Sequence, residues 1–76
     1  MQIRLLAFSY LQRQLGFAEQ TVDCLESETP RALLHRLAPD LDLSGVRVAL
    51  DEEYADWDAP LGTAQELELI PPVSGG

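Results

Sequence analysis

The residues of this sequence best suited to chemistry are two consecutive glycines, Gly75 and Gly76, with which the printed chain ends. Glycine has no Cβ, so this backbone is thin enough to enter a narrow tunnel and its terminal carboxyl group stands unobstructed. A carboxylate presented in this way can be converted into a reactive group. A frayed or appended terminus would carry the same residues, and that alternative stays open at this point.

The segment before the glycines has the character of a tether. Pro71 and Pro72 fix φ and lack a backbone N–H, so they predict that the chain leaves its last strand along an extended path. The last four residues span roughly 13 Å at about 3.3 Å per residue. We therefore predict an extended, flexible tail over residues 71–76 that enters a partner and reacts at Gly76. The predicted tail-insertion residues are Pro72, Val73, Ser74 and Gly75.

Other chemically versatile side chains are few. Cys24 lies in an alternating polar and apolar stretch, which predicts a core position rather than a reactive thiol. His35 falls off the apolar stripe of a predicted helix, so we expect it in solvent. The consecutive acids Asp51, Glu52 and Glu53 predict a solvated turn, because neighbouring carboxylates on a turn point in different directions and do not converge on a metal. The sequence thus predicts no metal site and no catalytic centre of its own.

Composition narrows the classes of partner. The chain has 76 residues with 13 acidic and 5 basic side chains, all five of them arginine, for a net charge of −8. This charge repels phosphate backbones and anionic lipid, so nucleic-acid and membrane binding are not expected. A single cysteine allows no intramolecular disulfide, which favours a cytoplasmic protein, and no signal peptide or transmembrane segment is expected. Without lysine, the chain lacks the side-chain amine through which copies of itself could be linked.

Alternating and helical patterns predict an α+β domain. Thr29 followed by Pro30 marks the start of the clearest helix, with Leu33, Leu34 and Leu37 as its buried stripe. Ser9 is a candidate cap for a shorter helix that ends at Gly16. The predicted elements are a strand over 1–8, a short helix over 9–15, a strand over 19–25, the main helix over 29–38, strands over 46–50 and 66–70, and a short return segment over 54–57.

This order predicts a β-grasp, ubiquitin-like fold: a mixed sheet of four to five strands with one main helix across one face. Residues 1–70 are predicted to form this single domain, and residues 71–76 the tail. Leu67 and Leu69 should face the side of the sheet opposite to Glu66 and Glu68. Phe8 and Leu61 are predicted to supply apolar contacts to a partner. Tyr54 and Trp57 suit either the core or an interface.

The same residues resemble a known family. The ending from Ile70 to Gly76, preceded by residues 66–69 and by Pro60 and Leu61, is similar to that of the small subunit of molybdopterin synthase, a MoaD-type sulfur carrier of the MoaD/ThiS group. The stretch from Leu6 through residues 11–16 resembles that family's first strand and helix. Two segments depart from the family pattern, residues 62–65 and residues 49–51, and neither takes part in the sulfur chemistry.

The resemblance implies a carrier that works with other proteins. A MoeB-like activating enzyme would use ATP to adenylate the carboxylate of Gly76, and sulfur from a cysteine desulfurase would convert it to a thiocarboxylate. A MoaE-like large subunit would then take this sulfur to build the dithiolene of molybdopterin. The resemblance implies no bound cofactor, and the chain would be the non-catalytic, sulfur-donating subunit of the complex.

Three other functions remain open from the sequence. The thiocarboxylate could serve thiamine synthesis, tRNA thiolation or an amino acid pathway. Alternatively, Gly76 could be joined to lysines of target proteins, as in ubiquitin-like modifiers. The third possibility is a β-grasp interaction domain with an inert tail, because a fold alone does not identify a function.

Overall fold

A computed structural model describes residues 1–73 of the chain. The predicted order of elements is confirmed, and no boundary moves by more than two residues. The elements of the described chain are β1 (Gln2–Ala7), α1 (Tyr10–Leu15), β2 (Glu19–Asp23), α2 (Pro30–Leu37), β3 (Arg47–Leu50), β4 (Glu53–Ala55) and β5 (Glu66–Ile70).

The five described strands form one mixed sheet in the order β2-β1-β5-β3-β4. β1 and β5 pair in parallel, with Leu6 opposite Glu68, whereas the other neighbours are antiparallel. β5 therefore lies at the centre, hydrogen-bonded to β1 on one side and to β3 on the other. The last described strand is thus fixed along both edges, which gives the segment that follows it a firm origin.

The core lies between α2 and the inner face of the sheet. Leu33 and Leu34 of α2 are fully buried, as predicted, and Pro30 is buried beside them. Leu37 corrects the predicted stripe, because its position in the last turn leaves it 37% exposed. Apolar side chains of the strands and loops complete the core: Ile3, Leu5, Ala7, Leu11, Val22, Cys24, Val46, Val48, Leu61, Leu67 and Leu69.

The two helices begin in different ways. Thr29 caps α2 as predicted, since the Ala32 N–H donates to its Oγ1 at 3.1 Å. Ser9 does not cap α1 as predicted: it has a φ of 57° and its side chain makes no capping hydrogen bond. Gln12 instead donates from Nε2 to the Ala7 carbonyl at 3.0 Å and ties the first turn to the end of β1. Gly16 ends α1 in the left-handed region, as predicted.

The acidic turn between β3 and β4 is more than a solvated turn. Asp51 and Glu52 have φ values of 49° and 72°, which suit a tight hairpin turn. Asp51 Oδ1 accepts hydrogen bonds from the N–H groups of Gln65 and Glu66 at 2.9 and 3.0 Å. Its carboxylate therefore fixes the start of β5. The prediction for Asp51 is corrected, because its oxygen binds backbone donors rather than water alone.

Candidate functional site

The predicted tail begins directly at the end of the central strand. Pro71 is half-buried, Pro72 is exposed, and Val73 is 95% exposed. The remaining predicted tail residues, Ser74, Gly75 and Gly76, lie outside the described residues. Because β5 is held by strands on both sides, the direction in which the tail leaves is set by the middle of the sheet rather than by an edge.

Gly45 supports the start of the tail. Its φ is +75°, and a Cβ at this position would lie 3.2 Å from Cβ and 3.4 Å from Cγ of Pro72. Glycine therefore serves two purposes here, since it adopts the left-handed conformation without strain and lets the Pro72 ring lie against the backbone. The sequence reading missed this role, although a glycine just before a strand is a signal of a turn.

We expect Gly45→Ala to lower the free energy of unfolding by about 1 kcal/mol or more and to displace Pro72. Gly62→Ala is the matched control, because Gly62 also has a positive φ, +60°, but a methyl group added there would meet no atom within 4 Å. Both variants should lose stability in urea titrations because of their positive φ, and Gly45→Ala should lose more because of its close contact with Pro72. Only Gly45→Ala should shift the NMR signals of Pro72 and Val73; equal shifts in both variants would contradict a supporting role for Gly45.

The outer face of the sheet, opposite α2, carries an apolar surface beside the tail. Register places Leu6, Glu68, Ala49 and Tyr54 side by side across four strands. Tyr54 is 68% exposed and Phe8 is 45% exposed, and both line a groove with Ile70. The predicted interface role of Phe8 stays a prediction, and the structure gives it a suitable position.

Two other predicted interface candidates lie elsewhere. Leu61 is only 2% exposed and packs in the core, where its N–H donates to the Glu28 carbonyl at 2.8 Å, so its predicted partner contact is wrong. Trp57 is half-buried against the core and donates from Nε1 to the Val46 carbonyl at 3.0 Å. Of the two aromatic residues left open by the sequence, Tyr54 is thus the surface residue and Trp57 the packed one.

Glu68 is a carboxylate buried in the middle of the outer face. It is 6% exposed, although alternation alone would leave it in solvent. Its Oε1 accepts a hydrogen bond from the Glu52 N–H at 3.0 Å, whereas Oε2 is buried without a donor among the described residues. Burial raises the pKa of Glu68, and the neighbouring charges of Asp51 and Glu52 act in the same direction.

We expect the charge of Glu68 to cost stability at neutral pH. Below the ordinary glutamate pKa of about 4.3, Glu68 is protonated in the folded and the unfolded chain alike. As the pH rises through its raised folded-state pKa, the folded chain must carry a buried charge and the free energy of unfolding falls. Glu68→Gln should therefore be more stable than the parent by on the order of 1 kcal/mol at pH 8 and equally stable at pH 4.

Thermal unfolding at both pH values measures this difference. The exposed Glu53 on β4 provides the control, since Glu53→Gln removes a charge from the same sheet without altering a buried group. A Glu68→Gln variant that is less stable than the parent at pH 8 would show that the carboxylate is well solvated or paired.

The remaining chemically versatile side chains lie away from the tail. Cys24 is buried, as predicted, and burial raises the pKa of its thiol, which leaves it a poor nucleophile. His35 is exposed on α2, also as predicted. Within residues 1–73, no group of three histidine, cysteine or acidic side chains is arranged to hold a metal ion. The helices of this described part are also too short and too polar for any of them to cross a membrane.

Known proteins match the chain over nearly its whole length. A curated relative, the molybdopterin synthase sulfur carrier subunit of Arabidopsis thaliana, is 32% identical over 81 residues that cover 100% of this chain and 84% of the relative. The crystal structure of SAMP1 from Haloferax volcanii aligns with a TM-score of 0.77 at 23% identity, with 100% of both chains covered. These matches agree with the predicted β-grasp fold, which is confirmed.

A second similar structure contains two proteins. It is the complex of subunits 1 and 2 of the molybdopterin-converting factor from Helicobacter pylori, which aligns with a TM-score of 0.64 at 22% identity over 100% of both chains. In addition, the sequence profile of the ThiS family matches residues 5–76, a range that includes the diglycine. The chain therefore belongs to the ThiS family of ubiquitin-like sulfur carriers.

Proposed function

We propose that this chain is the sulfur-carrier small subunit of molybdopterin synthase and that Gly76 carries the sulfur as a thiocarboxylate. The observation that carries the proposal is a tail ending in Gly75 and Gly76 that leaves the central strand beside an exposed apolar face. The identity of 32% to a relative named as such a carrier supports it. The Helicobacter pylori complex supports a large subunit as the partner.

The chemistry proceeds by two displacements at the terminal carboxyl group. First, a carboxylate oxygen of Gly76 attacks the α-phosphorus of ATP on an activating enzyme, and pyrophosphate leaves. Sulfide then attacks the carbonyl carbon of the acyl adenylate; when the donor is instead the persulfide of a cysteine desulfurase, the acyl disulfide that forms is reduced by a second thiol. The bond to the phosphate oxygen breaks, AMP leaves with the electron pair, and a thiocarboxylate remains. Adenylation supplies the good leaving group that a carboxylate lacks.

In this scheme the chain binds and presents sulfur, while its partners perform the catalysis. The activating enzyme holds ATP, and a MoaE-like large subunit accepts the thiocarboxylate in its pocket, so this chain needs no cofactor of its own. The absence of a side chain on Gly75 and Gly76 lets the tail enter that pocket. Because the activation consumes ATP, we expect the protein to act in the cytoplasm.

The intact mass of the chain tests the proposal. The purified protein is incubated with its activating enzyme, ATP and sulfide, and its mass is compared with that of a reaction without ATP. We expect a gain equal to the exchange of one oxygen for one sulfur, located on Gly76 by analysis of the C-terminal peptide. An unchanged mass, with no AMP released, would overturn the proposal. Adding the large subunit and a pyranopterin precursor then identifies the acceptor, because only a molybdopterin carrier loses its sulfur to that mixture.

A protein modifier is the second candidate. It is favoured by the similarity to SAMP1, whose full name is small archaeal modifier protein 1. Such a modifier would form a series of larger conjugates with target proteins in cells, whereas a dedicated carrier stays at its own size. Immunoblots of lysates with and without Gly76 separate these two functions, because conjugates disappear when the terminal glycine is removed.

A further inference from the structure

The outer face of the sheet contains an acid that the described chain leaves half satisfied. Glu68 Oε1 has one backbone donor, the Glu52 N–H, while the buried Oε2 has none among residues 1–73. Buried polar atoms in native proteins nearly always have partners, and an exception needs an explanation. An apolar residue at this position would avoid the free-energy cost of burying a carboxylate oxygen without a hydrogen-bond donor. A partner that donates to Oε2 would therefore explain why a glutamate is present here.

The surroundings of Glu68 form a groove that suits a flat cation. Phe8, Ala49, Tyr54 and Ile70 line it together with Glu52, and its volume is about 320 Å³, which is near the lower limit for a small-molecule pocket. It therefore fits a single side chain better than a cofactor. The two exposed aromatic residues offer ring faces on which a guanidinium group stacks well.

Charge around the groove favours a cation from outside. Asp51, Glu52 and Glu53 follow one another on the adjoining turn, and the chain as a whole has a net charge of −8. Arg47 of β3 has its guanidinium carbon 5.5 Å from the Tyr54 ring centroid, and it does not donate to Glu68 Oε2. Arg4 is engaged by Glu66 and Glu19 on the neighbouring row of the sheet.

We propose that Glu68 is the docking residue for an arginine that the large subunit of the synthase places between Phe8 and Tyr54. The inference rests on the proposed function and adds the chemistry of the contact. Because Oε2 is buried in the unbound chain, docking turns the Glu68 side chain so that Oε2 faces the groove; the guanidinium then binds it while its plane lies against the aromatic rings. The groove adjoins Ile70, the last residue of β5, so this contact orders the tail's point of departure at the same time.

This arrangement explains why a destabilising acid occupies the centre of the face. In the unbound chain Oε2 lacks a donor, whereas in the complex it gains a charged one within an apolar surrounding where hydrogen bonds are strong. Removing one member of such a pair leaves the other charge buried and alone, which weakens binding severely. Glu68 thus favours the correct partner and disfavours apolar surfaces that offer no cation.

The test compares the binding of Glu68→Gln and of the parent chain to the purified large subunit by calorimetry. We expect Glu68→Gln to bind at least about tenfold more weakly, although it folds more stably than the parent at neutral pH. A merely structural role would not combine weaker binding with greater stability. Glu53→Gln, which removes the same charge from the exposed side chain at the start of β4, should bind within about twofold of the parent.

A double-mutant cycle then identifies the partner group. Each arginine of the large subunit's contact surface is replaced by glutamine in turn, and the binding of each variant is measured with the parent chain and with Glu68→Gln. For one arginine, the substitution should weaken binding to the parent chain but not to Glu68→Gln. The inference would be overturned if Glu68→Gln bound as tightly as the parent or more tightly, or if no arginine were coupled to Glu68. In either case the proposed function would still stand, provided that the parent chain gains sulfur and binds the large subunit. A parent chain that neither gains sulfur nor binds the large subunit would overturn both.

Discussion

Deletion of Gly76 is expected to reduce sulfur loading by at least about 100-fold while leaving the unfolding temperature unchanged. The deletion shortens the tail by one residue, about 3.3 Å, and misplacement of a reacting group by about 1 Å already costs about 100-fold. The fold should not respond, because the packed core consists of residues between Ile3 and Leu69. The measurement is the rate of thiocarboxylate formation by intact mass, beside a thermal melt of each variant.

Substitutions within the tail separate the effect of its width on sulfur loading from the effect of its length. Gly75→Val keeps the length but adds a branched side chain next to the reacting carbonyl, so we expect a comparable loss of loading if the partner's channel is narrow. Ser74→Ala is the matched control, because it makes a tail side chain smaller, and it should load like the parent. Normal loading by the Gly76 deletion would show that the sulfur is not carried at the end of this tail.

Local signals explain why most of the fold could be predicted from the sequence. Thr29 and Pro30 define the start of α2 by the hydrogen bonds and the φ value that a helix requires there, and these needs do not depend on the rest of the chain. Residues 66–70 likewise predict β5, since the alternation of leucine and glutamate has the period of a strand. The extended tail over residues 71–76 stays a prediction from residue type.

Burial that depends on distant contacts could not be predicted in the same way. Alternation correctly assigned Glu68 to the outer face, but its 6% exposure could not be predicted, because the topology places Ala49 of β3 opposite it and Tyr54 of β4 in the same row. The prediction for Leu61 is wrong for the opposite reason. A leucine between Pro60 and Gly62 suggests an exposed loop, yet a backbone hydrogen bond to Glu28 holds that loop against the core.

The contacts that hold the start of the tail in place could not be predicted from the sequence either. Gly45 matters because a proline 27 positions later, Pro72, lies against it, and nothing in the local pattern announces a contact between a loop and the tail. Asp51 fixes the start of β5 through two backbone donors that are 14 and 15 residues away. Both residues act on the ends of the strand that carries the tail, so the candidate site extends further along the chain than its terminal motif.

Leu67→Ala is expected to lower the free energy of unfolding by about 3 kcal/mol, the largest stability effect that we predict. Leu67 is fully buried on the inner face of β5, between β1 and β3, so truncation removes apolar contacts and leaves a cavity at the centre of the sheet. A chain of 76 residues buries a modest fraction of its surface, and a loss of this size is a large share of its stability. Urea unfolding followed by Trp57 fluorescence measures the change.

Leu25→Ala is the control for this truncation, because Leu25 is 68% exposed and its loss should change stability by no more than about 0.5 kcal/mol. A cost below about 1 kcal/mol for Leu67→Ala would mean that the sheet closes around the gap. The same variant also separates stability from chemistry. At a temperature where Leu67→Ala is still folded, Gly76 should load with sulfur at the parent rate, since the tail is intact. A loading defect in the fully folded variant would show that the packing of β5, and not the tail alone, presents Gly76 to the activating enzyme.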